Sequence, residues 1–323
     1  MTVTGDTEPG PEVEPDPDQA SAEGLRSLAA GEEPAVPDST RKQVRREELR
    51  LLLRTPGFLI GAAFLLFWIV AAVFPELLTT WGPKESVVNS AGTSLRRTPP
   101  DATAWFGTDR LGRDVYSRVV YGARPILIAA PVATLIASVL GTLLGLVAGY
   151  YRGVVDEILS RLFEAMLAVP AILLAILIIF TFGASEAVII GTIAFLFISP
   201  VARTVRAAAL AEAQLDYVTA ARMRGENSLF IVTREVLPNV TGVVIVEFTV
   251  RLGYAIFTLA TLSFLGLSAG NATDANWGVD VSDNYEQIAS QVWWPTVFPA
   301  LAIASLVVAV NLVADSIDRA RSS

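Results

Sequence analysis

The sequence predicts an all-α membrane protein of six transmembrane helices, and three observations carry that prediction. Hydrophobic residues make up 53% of the 323-residue chain, whose mean hydropathy is +0.52. Several uncharged runs reach twenty residues or more, long enough at ~1.5 Å per residue to cross roughly 30 Å of hydrocarbon. The runs are continuous and do not alternate with period two, which selects helices over a barrel.

Taken in order, the chain begins with an acidic stretch. Residues 1–40 hold ten Asp or Glu against the single Arg26, a balance of -9 that leaves the remaining 283 residues at +1 out of the net -8. This stretch is rich in Pro, Gly, Ser and Glu and buries too little apolar surface to offset its ordering entropy, so a disordered tail is expected. It has no basic start or early apolar core, and no cleaved signal peptide is expected.

The first span is placed at 57–78, behind a basic cluster from Arg41 to Arg54. The second, 124–150, carries Gly141, Gly145 and Gly149 on one face, a spacing that allows close approach of a neighbouring backbone at the core or at a dimer face. The third, 162–183, contains Pro170, while Pro131 and Pro200 fall in the second and fourth; each removes an amide donor and is expected to bend its helix. The fourth, 187–206, is the shortest uncharged run, with sixteen residues between Glu186 and Arg203. The fifth, 238–267, contains Glu247 and Arg251, four apart with the acid first, which places them on one helix face. An ionisable pair at membrane depth marks either a water-filled path or an internally satisfied contact. With Ser263 farther along the span, they are the candidates for a translocation path or gate. The sixth span is placed at 293–314.

Arg and Lys flank the first span on its N-terminal side and follow the fourth and sixth. The charge rule therefore puts both termini in the cytoplasm. The loop 79–123 is assigned outside although it carries Lys84, Arg96, Arg97, Arg110, Arg113 and Arg118; a re-entrant or partly buried stretch is the competing reading. Its charges Asp109, Arg110, Arg113, Asp114 and Arg118 can pair among themselves and cap the next helix. They brace an outer gate or, alternatively, meet substrate carboxylates or an external protein.

The chain has no Cys and no His, so disulfides, thiol nucleophiles, His-metal sites and Ser-His-Asp triads are excluded. Its only lysines, Lys42 and Lys84, complete no phosphate-binding Gly-x4-Gly-Lys-Ser/Thr loop. Any ATP used must be bound by another chain.

Between the fourth and fifth spans stands Thr219-Ala-Ala-Arg-Met-Arg-Gly225, followed by Leu237-Pro238. A short helix that fits a cleft of another protein needs small residues such as Ala220 and Ala221. Asp216 can cap its start and Gly225 can end it with a left-handed cap. The segment resembles the cytoplasmic coupling segment of ABC importer permeases, with Thr219 where that pattern has Glu and Glu235 where it has Ile. A longer resemblance lies in Phe106-Gly-Thr-Asp-Arg-Leu-Gly112-Arg-Asp-Val-Tyr-Ser-Arg-Val-Val-Tyr-Gly-Ala-Arg124, joined by Leu262 to Leu267, Trp277-Gly278 and Trp294 to Pro299. These are similar to the C-type subunit of dipeptide and oligopeptide permeases. Ala269 to Asn276 departs from that family in lacking a proline.

The resemblance implies a type I importer permease divided into the tail 1–40, an N-terminal helix with its external loop 41–110, and a permease core 111–323. It also implies a B-type partner permease, two ATPase subunits that hold ATP and Mg, an external binding protein, and no cofactor, metal or catalysis in this chain. Coupling would run through Asp216, Thr219, Ala220, Ala221, Gly225, Leu237 and Pro238. Peptides are the implied substrate class, with nickel complexes or other small solutes as alternatives on the same scaffold. A self-contained channel or secondary transporter would instead use Glu247 and Arg251 without an ATPase, and a membrane enzyme would lack both metal ligands and an activated nucleophile.

Overall fold

The computed structural model describes residues 55–88, 92–271 and 273–322. The acidic stretch 1–40, expected to be disordered, lies outside the described residues. Helix α1 (Pro56–Val73) starts on a proline whose missing amide costs nothing in a first turn. The expected span 57–78 is interrupted at Phe74, where Pro75 opens the one-turn helix α2 (Pro75–Leu78).

After the loop 79–114, α3 (Val115–Tyr121) and α4 (Ala123–Tyr151) join through Gly122 into one apolar span. The third expected span differs most from its prediction. It is split into α5 (Gly153–Ala168) and α6 (Ala171–Phe182), bent by 88°. Pro170 supplies no amide and forces Val169 into an extended conformation, with φ -93° and ψ 132°. Pro131 and Pro200, by contrast, lie inside α4 and α7 (Glu186–Glu212), and both helices run on through them.

The short helix α8 (Asp216–Met223) follows, then α9 (Ser228–Phe230), a π-helical turn at Ile231–Val236 and the long α10 (Leu237–Phe264). A loop leads to α11 (Trp277–Asn284), a 3-10 turn (Tyr285–Ser290) and α12 (Trp294–Ser322). Among the described residues, five helical segments are long and apolar enough to cross a membrane, and the bent α5–α6 pair makes six if counted as one span. Among the described residues there are no strands, only three isolated bridges in the 86–114 loop.

The central contact is α4 against α7, and the glycine stripe is its cause. A Cβ on Gly141 would lie 2.7 Å from Val201 Cβ, one on Gly145 2.6 Å from the Ala202 carbonyl oxygen, and one on Gly149 2.8 Å from Ala209 Cβ. The stripe therefore serves packing within this chain. On one side, Leu146, Val201, Val205 and Ala209 form an apolar cluster with Val218, Ala221 and the π turn. On the other, Trp68, Ile126, Ile193, Ile256, Trp277 and Leu306 form a larger core joining α1, α4, α7, α10, α11 and α12.

Candidate functional site

Two regions at opposite ends of α4 and α7 collect the residues singled out in the sequence. The first is the segment 212–239. Helix α8 buries Val218 and Ala221 while Asp216, Thr219 and Met223 remain exposed. Ala221 thus packs on its own chain, and the surface left for another molecule comes from Leu215, Met223, Leu229 and Phe230, with Met223 79% and Leu229 67% exposed. Sequence reasoning missed these four; exposed apolar residues flanking a polar helix were the available signal.

The helix does not start as expected. Leu215 occupies the N-cap position, and Asp216 is the first helical residue with no side-chain capping bond, so the carboxylate acts only through the helix dipole. The C-terminus does form as expected. Gly225 has φ +78°, its amide donates to the Arg222 carbonyl at 3.0 Å, and the Glu226 amide donates to the Ala221 carbonyl at 3.2 Å. These two bonds make a Schellman cap, which needs a left-handed residue at Gly225. No atom lies within 4 Å of a Cβ built there, so the requirement is conformational, not steric.

Tyr217 ties the segment to the helices on both sides. Its hydroxyl donates to Glu212 Oε1 at 2.6 Å and accepts from Asn239 Nδ2 at 2.9 Å; Asn239 also donates to the Glu235 carbonyl at 2.7 Å. Burial and the neighbouring Glu212 carboxylate push the phenol up to about 12, so it remains a donor at every physiological pH. The Arg222 guanidinium stacks 4.9 Å over the Tyr150 ring at the end of α4. Displacement of α8 would therefore pull on α4, α7 and, through the π turn beginning at Ile231, on α10. Leu237 and Pro238 open α10, with Pro238 exposed in its first turn.

The second region is the cap formed by 79–123 and 267–299. Asp109 accepts from the Leu111 and Arg113 amides at 2.8 and 2.9 Å and from Arg113 Nε at 2.6 Å. Gly112, at φ +81°, makes the turn between them. Asp114 caps α3 by accepting from the Ser117 amide and hydroxyl, while burial raises its pKa. Two arginines do not pair within the motif as expected. Arg110 meets Asp283 at 3.2 Å on the surface, and buried Arg118 donates Nε and Nη2 to Asp280 Oδ1 at 2.7 and 2.5 Å. Arg118 also holds the carbonyls of Pro83, Thr273 and Asp274. Burial raises the Asp280 pKa to about 6, with Arg118 opposing the shift, while Lys84 holds the partly exposed Asp274 below its usual value.

The aromatic residues of the motifs meet here too. Trp277, fully buried, donates to the Val119 carbonyl at 2.7 Å and meets Trp68 edge to face at 4.7 Å. Trp294 donates to the Thr108 carbonyl at 3.0 Å, and Phe298 stacks on Phe106 at 3.9 Å. The loop is thus partly buried against the rest of the chain, with Val87 and Thr108 inaccessible.

The gate candidates do not form one site. Arg251 Nε donates to Glu247 Oε2 at 3.0 Å, and the guanidinium lies 5.6 Å from the Tyr254 ring centre. Arg251 also lines a polar pocket of about 750 Å³ with residues of α5 and α7. Ser263 is buried at the cap end of α10, beside Gly278, and borders a separate pocket of about 170 Å³ with Glu186 and Asn276.

Residues 141–323 match the family described as binding-protein-dependent transport system inner membrane component. A putative peptide transport system permease protein of Brucella suis is 36% identical over 83% of this chain and 88% of its own length. The dipeptide transport system permease proteins DppC of Bacillus subtilis and Escherichia coli K12 are each 37% identical, over 84% and 82% of this chain and 83% and 88% of their own lengths. The chain belongs to this family of membrane permease subunits, multi-pass and non-catalytic components that assemble with other parts of a bacterial ABC transport system.

Proposed function

We propose that this chain is the C-type permease of an ATP-driven importer of dipeptides or oligopeptides. It would pair with a B-type permease, two ATPase subunits that hold ATP and Mg, and an external binding protein. The observation that carries the substrate class is the likeness, at 36–37% identity over more than four fifths of each chain, to permeases named for peptide and dipeptide transport. Both termini and the segment 212–239 face the cytoplasm in this reading, because Arg203 and Arg206 stand in the last part of α7 and Arg222, Arg224 and Arg234 run from α8 to the π turn.

ATP-driven closure of the ATPases would press on Leu215, Asp216, Thr219 and Met223. Ala220 and Ala221 keep α8 close to its own bundle, Gly225 holds its end, and the Tyr217 bonds carry the movement through Leu237 and Pro238 into α10. Fourteen residues farther along α10 lies Arg251, about 21 Å away at ~1.5 Å per residue. Rocking of α10 would then open the path alternately to either side. Ser263 and the motif from Asp109 to Arg118 keep the outer end in register.

Purification from the native membrane with mass spectrometry of the companions, followed by ATP hydrolysis with and without peptides, tests this reading. Recovery of a second permease and Walker-motif ATPases with peptide-stimulated hydrolysis is expected. A partner-free protein that transports without ATP would overturn it.

A further inference from the structure

We propose that the polar pocket between α5, α7 and α10 is a binding site for the C-terminal carboxylate of the peptide on its way through this subunit. This rests on the peptide reading above. The pocket, about 750 Å³, is lined by Ser160, Glu164, Pro200, Arg203, Arg206 and Arg251 among others. Its three arginines are not equivalent. Arg206 is held by both carboxylate oxygens of Asp156, with Nη2 at 2.6 Å from Oδ2. Arg251 gives only Nε to Glu247, which leaves its terminal nitrogens without a hydrogen-bond partner among the described residues. Arg203 is exposed and has no ion-pair or hydrogen-bond partner among the described residues.

Unpartnered guanidinium donors in a cleft of a membrane-spanning bundle are expensive unless the site is wet or takes an anion. A guanidinium suits a carboxylate because its donors fit the two oxygens in one plane. A lipid phosphate and the carboxylate of a translocating peptide are the two sources of such an anion, and the peptide reading selects the second. Glu164, whose nearest basic group is Arg161 at 3.9 Å, lines the same pocket and suits the peptide's ammonium end.

The complete transporter is reconstituted in nanodiscs without its binding protein, whose own selectivity would hide the effect. It is then labelled with a tripeptide bearing photoreactive benzoylphenylalanine, offered as the free acid or the C-terminal amide. The acid should label residues 160–167 and 200–207 about tenfold more than the amide, in line with the strength of a charge-assisted hydrogen bond. Arg203→Gln should abolish that preference, while Arg124→Gln, at the opposite end of α4, keeps it. On the unmodified protein, N-acetylalanine should compete with the probe and N-acetylalaninamide should not, a readout that survives any failure of the variant to assemble. Equal labelling by acid and amide, equal competition, or a preference that persists in Arg203→Gln overturns the proposal. So does lipid retained by the unmodified protein and lost from Arg203→Gln in native mass spectrometry, with no peptide label in the pocket. Binding-protein-dependent uptake separates the two readings: import without carboxylate preference removes this inference alone, whereas absence of peptide import removes both.

Discussion

At the end of the bundle built from 79–123 and 267–299, buried Arg118, Asp280, Asp109 and Arg113 direct their hydrogen bonds at one another and at nearby carbonyls. At the end built from 212–239, Met223, Leu229 and Phe230 stand exposed and the buried side of α8 is no more than Val218 and Ala221. The longer motif thus describes a region whose buried charges pair mostly within this chain, and the shorter one, in the proposed reading, a surface that the ATPases would cover. Motif length in this chain measures how many internal contacts must be kept, not how directly a segment serves transport.

The contrast breaks most readily at Arg118. Arg118→Ala leaves Asp280 buried and unpaired, and a loss of about 3–5 kcal/mol is expected, read as a lower melting temperature and lower yield of the purified complex. Part of that loss should return at pH 5, where Asp280 takes up a proton. Next comes the pH dependence of the intact cap. The folded value of Asp280, about 6, lies above its ordinary 3.8, so folded protein holds a proton that unfolded protein has released between those values. Stability should fall as pH rises through 6, by at most about 3 kcal/mol at ~1.36 kcal/mol per pKa unit, and Asp280→Asn should flatten the profile. Asp274, held low by Lys84, works in the opposite sense only below about pH 4, and its exposure keeps the effect small.

At the other end the expected effects shift from stability to coupling. Gly225→Ala forces a side chain into the left-handed region at a cost of about 1–2 kcal/mol, local to α8. Membrane insertion should be normal while ATP hydrolysis proceeds without proportionate uptake; normal uptake in this variant would remove the coupling role of the segment. Met223→Ser touches nothing buried and should change stability by less than about 0.5 kcal/mol, yet weaken retention of the ATPases in pull-down. A Met223→Ser protein that unfolds, or an Arg118→Ala protein that melts normally and merely loses partners, would reverse the comparison.

Much of the fold was legible because long apolar runs leave a membrane helix few alternatives. The glycine stripe and the left-handed cap at Gly225 were legible for the same reason, since spacing and residue type nearly determine them. Direction and distance were not. Nothing in the run 162–183 says that Pro170 turns the chain by 88° while Pro131 and Pro200 do not break theirs. Arg118 and Asp280 are 162 positions apart, and local charge patterning suggested nearer partners. Tyr217 gave no signal because its partners Glu212, Glu235 and Asn239 acquire meaning only when α7, α8 and α10 converge. Ala221, whose small size suggests docking, is instead buried in the cluster with Val205 and the π turn, because smallness serves internal and external approach alike.

The exposed face of α8 is the proposed contact with the ATPases, whereas the buried charges of the cap pair mostly within this chain. The absence of native cysteine makes one measurement direct. Met223→Cys and Leu111→Cys, both at exposed positions, would each carry a short photoreactive crosslinker in the assembled transporter. Capture of an ATP-binding subunit from position 223 and not from 111 is the expected result. Failure of position 223 to capture an ATPase in a complex that still hydrolyses ATP, or capture from 111, would contradict the account.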